Sequence, residues 1–257
     1  LAGQPVRGIS VRETARAPSG GKSIAQTELA EVEGSPDTRS QFERNIGKKF
    51  LVTAELDVPR GLDMSSVIEG ARYLHQFGVD AINLTDGARA RLRLSSVALS
   101  SIMQREIGIE AMTHMTTRDR NMIGLQAELL GAHALGLRNI LCITGDPTSI
   151  GDYPHATSVF DVDSIGLIRA ISAMNGGRDL MGNSLGQKTS FMIACATNPI
   201  ANDMDRELKR LSMKIEAGAD IVFTQPMYEM RTLEQFVKRT EQWKKPVMLG
   251  VLPLRSY

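Results

Sequence analysis

From Lys48 onward the chain alternates short apolar, β-branched runs with longer stretches in which apolar residues recur three and four positions apart. Seven runs read as strands: residues 50–56, 81–84, 108–115, 139–144, 190–196, 221–224 and 247–252. Helical period marks 64–77, 120–135, 162–174, 205–217 and 231–243. Gly78-Val79-Asp80 and Gly218-Ala219-Asp220 repeat one join, a glycine at a helix C-terminus followed by a strand. Repeated βα units of this kind predict a parallel sheet, and seven in succession favour an α/β fold of the (β/α)8 TIM-barrel type. A doubly wound open sheet is the competing architecture, but the first strand is followed by no G-x-G-x-x-G loop. The seventh run ends just before Tyr257, so the expected barrel lacks its last strand and helices.

Residues 1–45 carry Gly, Ser, Pro and Thr with scattered charge and no sustained period, which predicts a flexible linker before a barrel domain at 46–257. The chain begins at Leu1, as an excerpt of something longer would.

A length of 257 residues with 42% hydrophobic positions can bury one sizeable core. The net charge of +1 is spread without a basic stripe, which argues against nucleic acid as a partner. No segment has the ~20 apolar residues of a membrane span, and no signal peptide is visible. Cys142 and Cys195 sit in apolar runs without CxxC or His at ligand spacing, so they read as reduced core thiols, with no metal site and a cytoplasmic location.

Barrel chemistry gathers at the C-terminal ends of the strands. Those ends are polar here: Thr53-Ala54-Glu55-Leu56-Asp57, Asn83-Leu84-Thr85-Asp86-Gly87, Thr113-His114-Met115-Thr116, Thr144-Gly145-Asp146-Pro147, Ala196-Thr197-Asn198 and Thr224-Gln225-Pro226. Glu55, between apolar neighbours, is expected to face the barrel mouth, where desolvation raises a carboxyl pKa and suits a general acid; an ion pair with a barrel Lys or Arg is the alternative. Asp146 fits either a contact to a bound ring system or an Asx-turn. His114 fits a hydrogen-bond donor or a satisfied core histidine. His75, His133 and His155 lie at no ligand spacing to it. Arg118-Asp119-Arg120 reads as a solvated helix start rather than a phosphate clamp. The Gln225 amide offers a donor and an acceptor together to a heterocycle edge.

In order and in sequence these strand ends resemble the methylenetetrahydrofolate reductase family. The likeness rests on Glu55-Leu56-Asp57-Val58-Pro59-Arg60-Gly61, Thr113-His114-Met115-Thr116-Thr117-Arg118-Asp119-Arg120-Asn121, Ile143-Thr144-Gly145-Asp146-Pro147, and Lys214-Ile215-Glu216-Ala217-Gly218-Ala219-Asp220 leading to Thr224-Gln225. It is nearest to members that carry a homocysteine S-methyltransferase domain in front, as the insertion from Gly176 to Gln187 suggests. The resemblance implies FAD as cofactor and ping-pong hydride transfer from NAD(P)H or another donor to 5,10-methylenetetrahydrofolate, giving 5-methyltetrahydrofolate. It implies Glu55 as the acid that protonates N10 and Asp146 between flavin and pterin, with Gln225 and Tyr257 on the substrate. For FAD it points to Thr85, His114, Thr144, Gly145, Asp146, Phe160, Asp161, Ala196, Glu207 and Lys214. Three positions depart from the pattern: Thr144 stands where several members have Arg, Asp86 where some have an aromatic, and Val58 where the two-domain type has Pro. Copies are expected to pair through an apolar helix face. A non-catalytic folate- or flavin-binding fragment is the alternative. A Schiff-base barrel enzyme is disfavoured because no strand end carries Lys.

Overall fold

The computed structural model describes residues 38–253. Seven strands form one parallel sheet whose neighbours follow chain order: β1 (Thr53–Leu56), β2 (Ala81–Leu84), β3 (Glu110–Thr116), β4 (Asn139–Ile143), β5 (Met192–Thr197), β6 (Ile221–Thr224) and β7 (Val247–Met248). Before and between them run α1 (Gln41–Asn45), α2 (Ser65–Gln76), α3 (Ser96–Ile107), α4 (Met122–Ala134), α5 (Ser164–Asn175), α6 (Met204–Glu216) and α7 (Met230–Thr240). This is the α/β, TIM-barrel-like architecture expected, without its last part.

Strand alternation sorts the side chains into two layers. Ala54, Leu56, Ile82 and Leu84 point outward and pack with Val67 and Ala71 of α2 and Leu99 and Met103 of α3. Ile140, Cys142, Ile193, Cys195 and Val222 meet the buried faces of α4 to α7 in the same way. The opposite face gathers Ala81, Met112, Leu141, Met192, Ala194 and Ile221 into an inner core. The inner positions near the strands' C-terminal ends are therefore Glu55, Asn83, His114, Ile143, Ala196 and Phe223, polar over β1 to β3 and apolar over β4 to β6.

The lower end of that lumen is closed by α1. Phe42, only 1% exposed, belongs to the inner core. The Glu110 carboxylate accepts from the Phe42 amide at 3.0 Å and from the Asn139 side-chain amide at 3.0 Å, fixing the helix over the sheet. Burying such a ring contributes roughly 1.5–3 kcal/mol. The expected linker therefore ends early: residues 38–45 belong to the barrel fold, and the residues before them lie outside the described range. A five-residue helix is too short for its apolar period to show in sequence.

Other boundaries move for physical reasons. The run at 50–56 pairs only over Thr53–Leu56, with Phe50 90% exposed, and the run at 247–252 pairs only over Val247–Met248. Apolar content alone does not make a strand where no neighbour is hydrogen-bonded. α3 is a full helix that the periodicity did not single out; its buried face includes Ser96 and Ser100, which mask the apolar stripe.

Candidate active site

Glu55 lies beside Asn83 in the β1–β2 register, and Asn83 in turn hydrogen-bonds His114 (Oδ1 to Nε2, 3.3 Å). The side chain of Glu55 is open to solvent, yet enough protein surrounds the carboxyl for burial, helped by the Asp57 charge, to raise its pKa above the usual carboxylate value. A group inside a concave mouth has both properties. The expected alternative is not observed: no ion pair joins Glu55 to Lys or Arg among the described residues. His114 is buried, and desolvation outweighs the opposing Asp86 charge to lower its pKa to about 4. It is neutral at pH 7.

Asp146 is exposed on the loop after β4, and its Oδ2 accepts from the Arg89 amide at 2.9 Å, a bond between loops rather than an Asx-turn. Gly145 before it has φ +91°, and a Cβ there would lie 3.0 Å from the Thr116 Cβ, so only glycine lets this loop close on β3. Thr144 faces outward, its Oγ1 accepting from the Ser164 amide at 3.1 Å near the start of α5. By strand alternation Thr85 and Gln225 continue the inner faces of β2 and β6, and neither side chain hydrogen-bonds another described residue.

The remaining expected cofactor residues lie around β4 and β5. Lys214, buried on α6, donates from Nζ to the Ala196 carbonyl at 2.6 Å. Glu207 accepts from the Thr197 hydroxyl and the Asn198 amide, each at 2.9 Å. Asp161 accepts from the Met122 amide at 3.0 Å at the start of α4, beside Phe160 with φ +45°. Tyr257 lies outside the described residues.

Arg118-Asp119-Arg120 is not a solvated helix start, because α4 begins only at Met122, capped by Asn121. Arg118 is 3% exposed, paired with Asp119 through two bonds of 2.7 Å, and it donates to the Asp146 carbonyl at 3.2 Å. Arg120 pairs with buried Asp86 at 2.8 Å. Asp86 also accepts from the Thr116 amide and hydroxyl at 2.9 and 3.0 Å. Burial pushes the Asp86 carboxyl up, but Arg120 and these bonds prevail and hold it below the usual range. Sequence reasoning missed this tie between the β2 and β3 ends; the available signal was an acid after one strand and a base after the next.

Solved structures share the fold. A 2,3-dimethylmalate lyase of the PEP mutase/isocitrate lyase superfamily matches with a TM-score of 0.53 and 15% identity, covering 79% of this chain and 65% of its own. A Clostridium thermocellum protein described as binding two copies of 5-methyl-5,6,7,8-tetrahydrofolic acid matches with a TM-score of 0.53 and 11% identity, covering 83% and 68%. Among curated sequences, a probable methylenetetrahydrofolate reductase (NADPH) of Caenorhabditis elegans is 30% identical over 84% of this chain. Methylenetetrahydrofolate reductase 1 of Schizosaccharomyces pombe is 25% identical over 68%, and methylenetetrahydrofolate reductase (NADH) 1 of Arabidopsis thaliana 24% over 76%. The chain spans 32%, 28% and 33% of these three proteins, about a third of their length. The family model described as methylenetetrahydrofolate reductase matches residues 41–257, a span that begins at α1 and takes in every strand that builds the site. On that match, this chain belongs to the methylenetetrahydrofolate reductase family.

Proposed function

We propose that this chain is the catalytic barrel of a flavin-dependent oxidoreductase that reduces 5,10-methylenetetrahydrofolate to 5-methyltetrahydrofolate. The observation that carries the reading is Glu55: an inner-face carboxyl at the mouth, with a raised pKa and no ion pair among the described residues, in a chain that belongs to this family. A raised pKa favours the protonated carboxyl, the form that suits protonation of N10 as the folate's five-membered ring opens. A neighbour of the same fold binds 5-methyltetrahydrofolic acid, so the architecture accommodates a folate.

The donor set fits FAD. The Thr85 hydroxyl and Gln225 amide, unbonded among the described residues, neutral His114 and the small Gly145 and Ala196 offer polar groups and space at a mouth that suits a flat ring system. Lys214, Glu207, Asp161, Phe160 and Thr144 are the remaining residues expected to hold the cofactor. When bound, FAD supplies hydride chemistry that no side chain here possesses. Asp146 holds its carboxylate at the rim through Arg89 and would contact both cofactor and folate, while Gln225 and Tyr257 would orient the folate. The remaining parts of the reading are ping-pong order, NAD(P)H or another donor, an upstream homocysteine S-methyltransferase domain, a cytoplasmic location and a homo-oligomer.

The test is anaerobic spectroscopy of the full-length FAD-loaded protein. A yellow protein bleached by NADH or NADPH and reoxidised by methylenetetrahydrofolate is expected. Glu55→Gln should slow the folate step by roughly 10²–10⁴-fold while leaving flavin reduction within about twofold. Because the Glu55 pKa is raised, the parent's folate step should fall as pH rises through it, and the variant's should not. Equal loss in both half-reactions sinks the acid role, and a colourless protein that retains no added FAD supports the non-catalytic fragment.

A further inference from the structure

A cavity of about 360 Å³ opens beside the mouth, between the loops after β2, β3 and β4. Four arginines line it: Arg91, Arg93, Arg118 and Arg120. Arg118 and Arg120 are neutralised by Asp119 and Asp86. Arg91 and Arg93 have no acidic partner among the described residues; Arg93 donates only to the Leu92 carbonyl, at 3.3 Å. Two guanidinium charges are thus left uncompensated on one wall of a concave site, the arrangement that recognises phosphate or carboxylate through paired N–H donors.

The walls are built rather than loose. The Asp152 amide donates to the Ala90 carbonyl at 3.2 Å, and its carboxylate accepts from the Leu92 amide at 3.2 Å and from Arg60 at 2.8 Å. Gly151 closes the seam: a Cβ there would lie 1.9 Å from the Ala90 carbonyl oxygen. Arg89 and Ala90 hold φ of 57° and 53°, a left-handed geometry that costs non-glycine residues and persists where surroundings enforce it. The cavity adjoins the β2 end of the mouth: Asp86, which lines it, follows Thr85, and Gly87 and Ala90 flank the Arg89 whose amide donates to Asp146.

We propose that this cavity is an anion subsite, in which Arg91 and Arg93 bind the phosphate or carboxylate tail of a ligand whose reacting end lies at the barrel mouth. The identity of that ligand rests on the reductase reading, which offers two sources: the nucleotide phosphates of the electron donor, or the glutamate carboxylates of the folate. Either tail requires the same paired cationic donors.

The full chain is titrated calorimetrically with adenosine 2′,5′-bisphosphate, with a tri-γ-glutamate peptide, and with adenosine as the uncharged control. One anionic probe should bind, adenosine should not, and added salt should weaken the binding. Arg91→Gln combined with Arg93→Gln should reduce affinity about tenfold or more, the scale of a lost charge-assisted bond. Lys244→Gln, which removes an exposed charge before β7, should leave it unchanged. Nucleotide binding assigns the donor's tail, and peptide binding the folate's. The subsite is overturned if neither probe binds the parent chain, if the double variant binds as the parent does, or if Lys244→Gln weakens binding equally. The readout needs neither flavin nor turnover. Arginine-dependent binding without folate reduction would therefore overturn the reductase reading alone, and turnover with arginine-independent binding the subsite alone.

Discussion

His114 and Glu55 share the inner face of the barrel but titrate in opposite directions, because burial penalises whichever form is charged. For His114 the folded pKa of about 4 lies below the unfolded value of 6.5, so between them the unfolded chain binds more protons. The stability this group contributes is complete above pH 6.5 and is lost as pH falls toward 4. At 1.36 kcal/mol per pKa unit that amounts to about 3 kcal/mol. Urea unfolding from pH 7 to 4 should show this decline in the parent and a flatter slope in His114→Gln; parallel slopes would mean that the imidazole is solvated. The sequence located both residues at strand ends. It could not say that His114 meets Asn83, 31 positions away, nor that Glu55 forms no ion pair among the described residues.

At the scale of elements, the ends of β2 and β3 are joined by the Asp86–Arg120 pair and the two Thr116 bonds. Removing one partner of a buried pair strands the other charge, so Asp86→Ala should cost about 3 kcal/mol in urea unfolding. Arg60→Ala breaks the more exposed Arg60–Asp152 pair and should cost less than about 1 kcal/mol. Similar small losses for both variants would show that the β2–β3 tie is slack. Helix periods were legible wherever an apolar stripe ran unbroken, as in α5 and α6. They failed at α3, where buried serines interrupt the stripe, and at Arg118 to Arg120, where local charge suggests a helix start and the tertiary partners form a loop.

Across the described residues, burial and strand length grade the sheet from β3 to β5 toward β1 and β7. β3, β4 and β5 have a strand on each side and mostly buried residues, whereas β7 has two residues and, among the described residues, pairs only with β6. Native-state hydrogen exchange should therefore be slower in the buried β3 to β5 than in the two-residue β7 and the more exposed β1. Uniform protection across all seven strands would contradict this gradient. Among the described residues no helix is long and apolar enough to cross a membrane.

The sequence by itself determined the number and order of the strands and the strand ends that carry polar groups. Each of these follows from periods of two and three to four residues, which are local properties of the chain. Only the tertiary structure decided that Phe42 plugs the lumen, that Asp86 holds Arg120, and that Asp146 is gripped from another loop. It alone leaves Arg91 and Arg93 without acidic partners among the described residues beside the mouth. Those outcomes depend on pairings such as the 34 positions between Asp86 and Arg120 and the 57 between Arg89 and Asp146. No local period encodes such pairings; they arise when the sheet curls and brings successive loops to one rim.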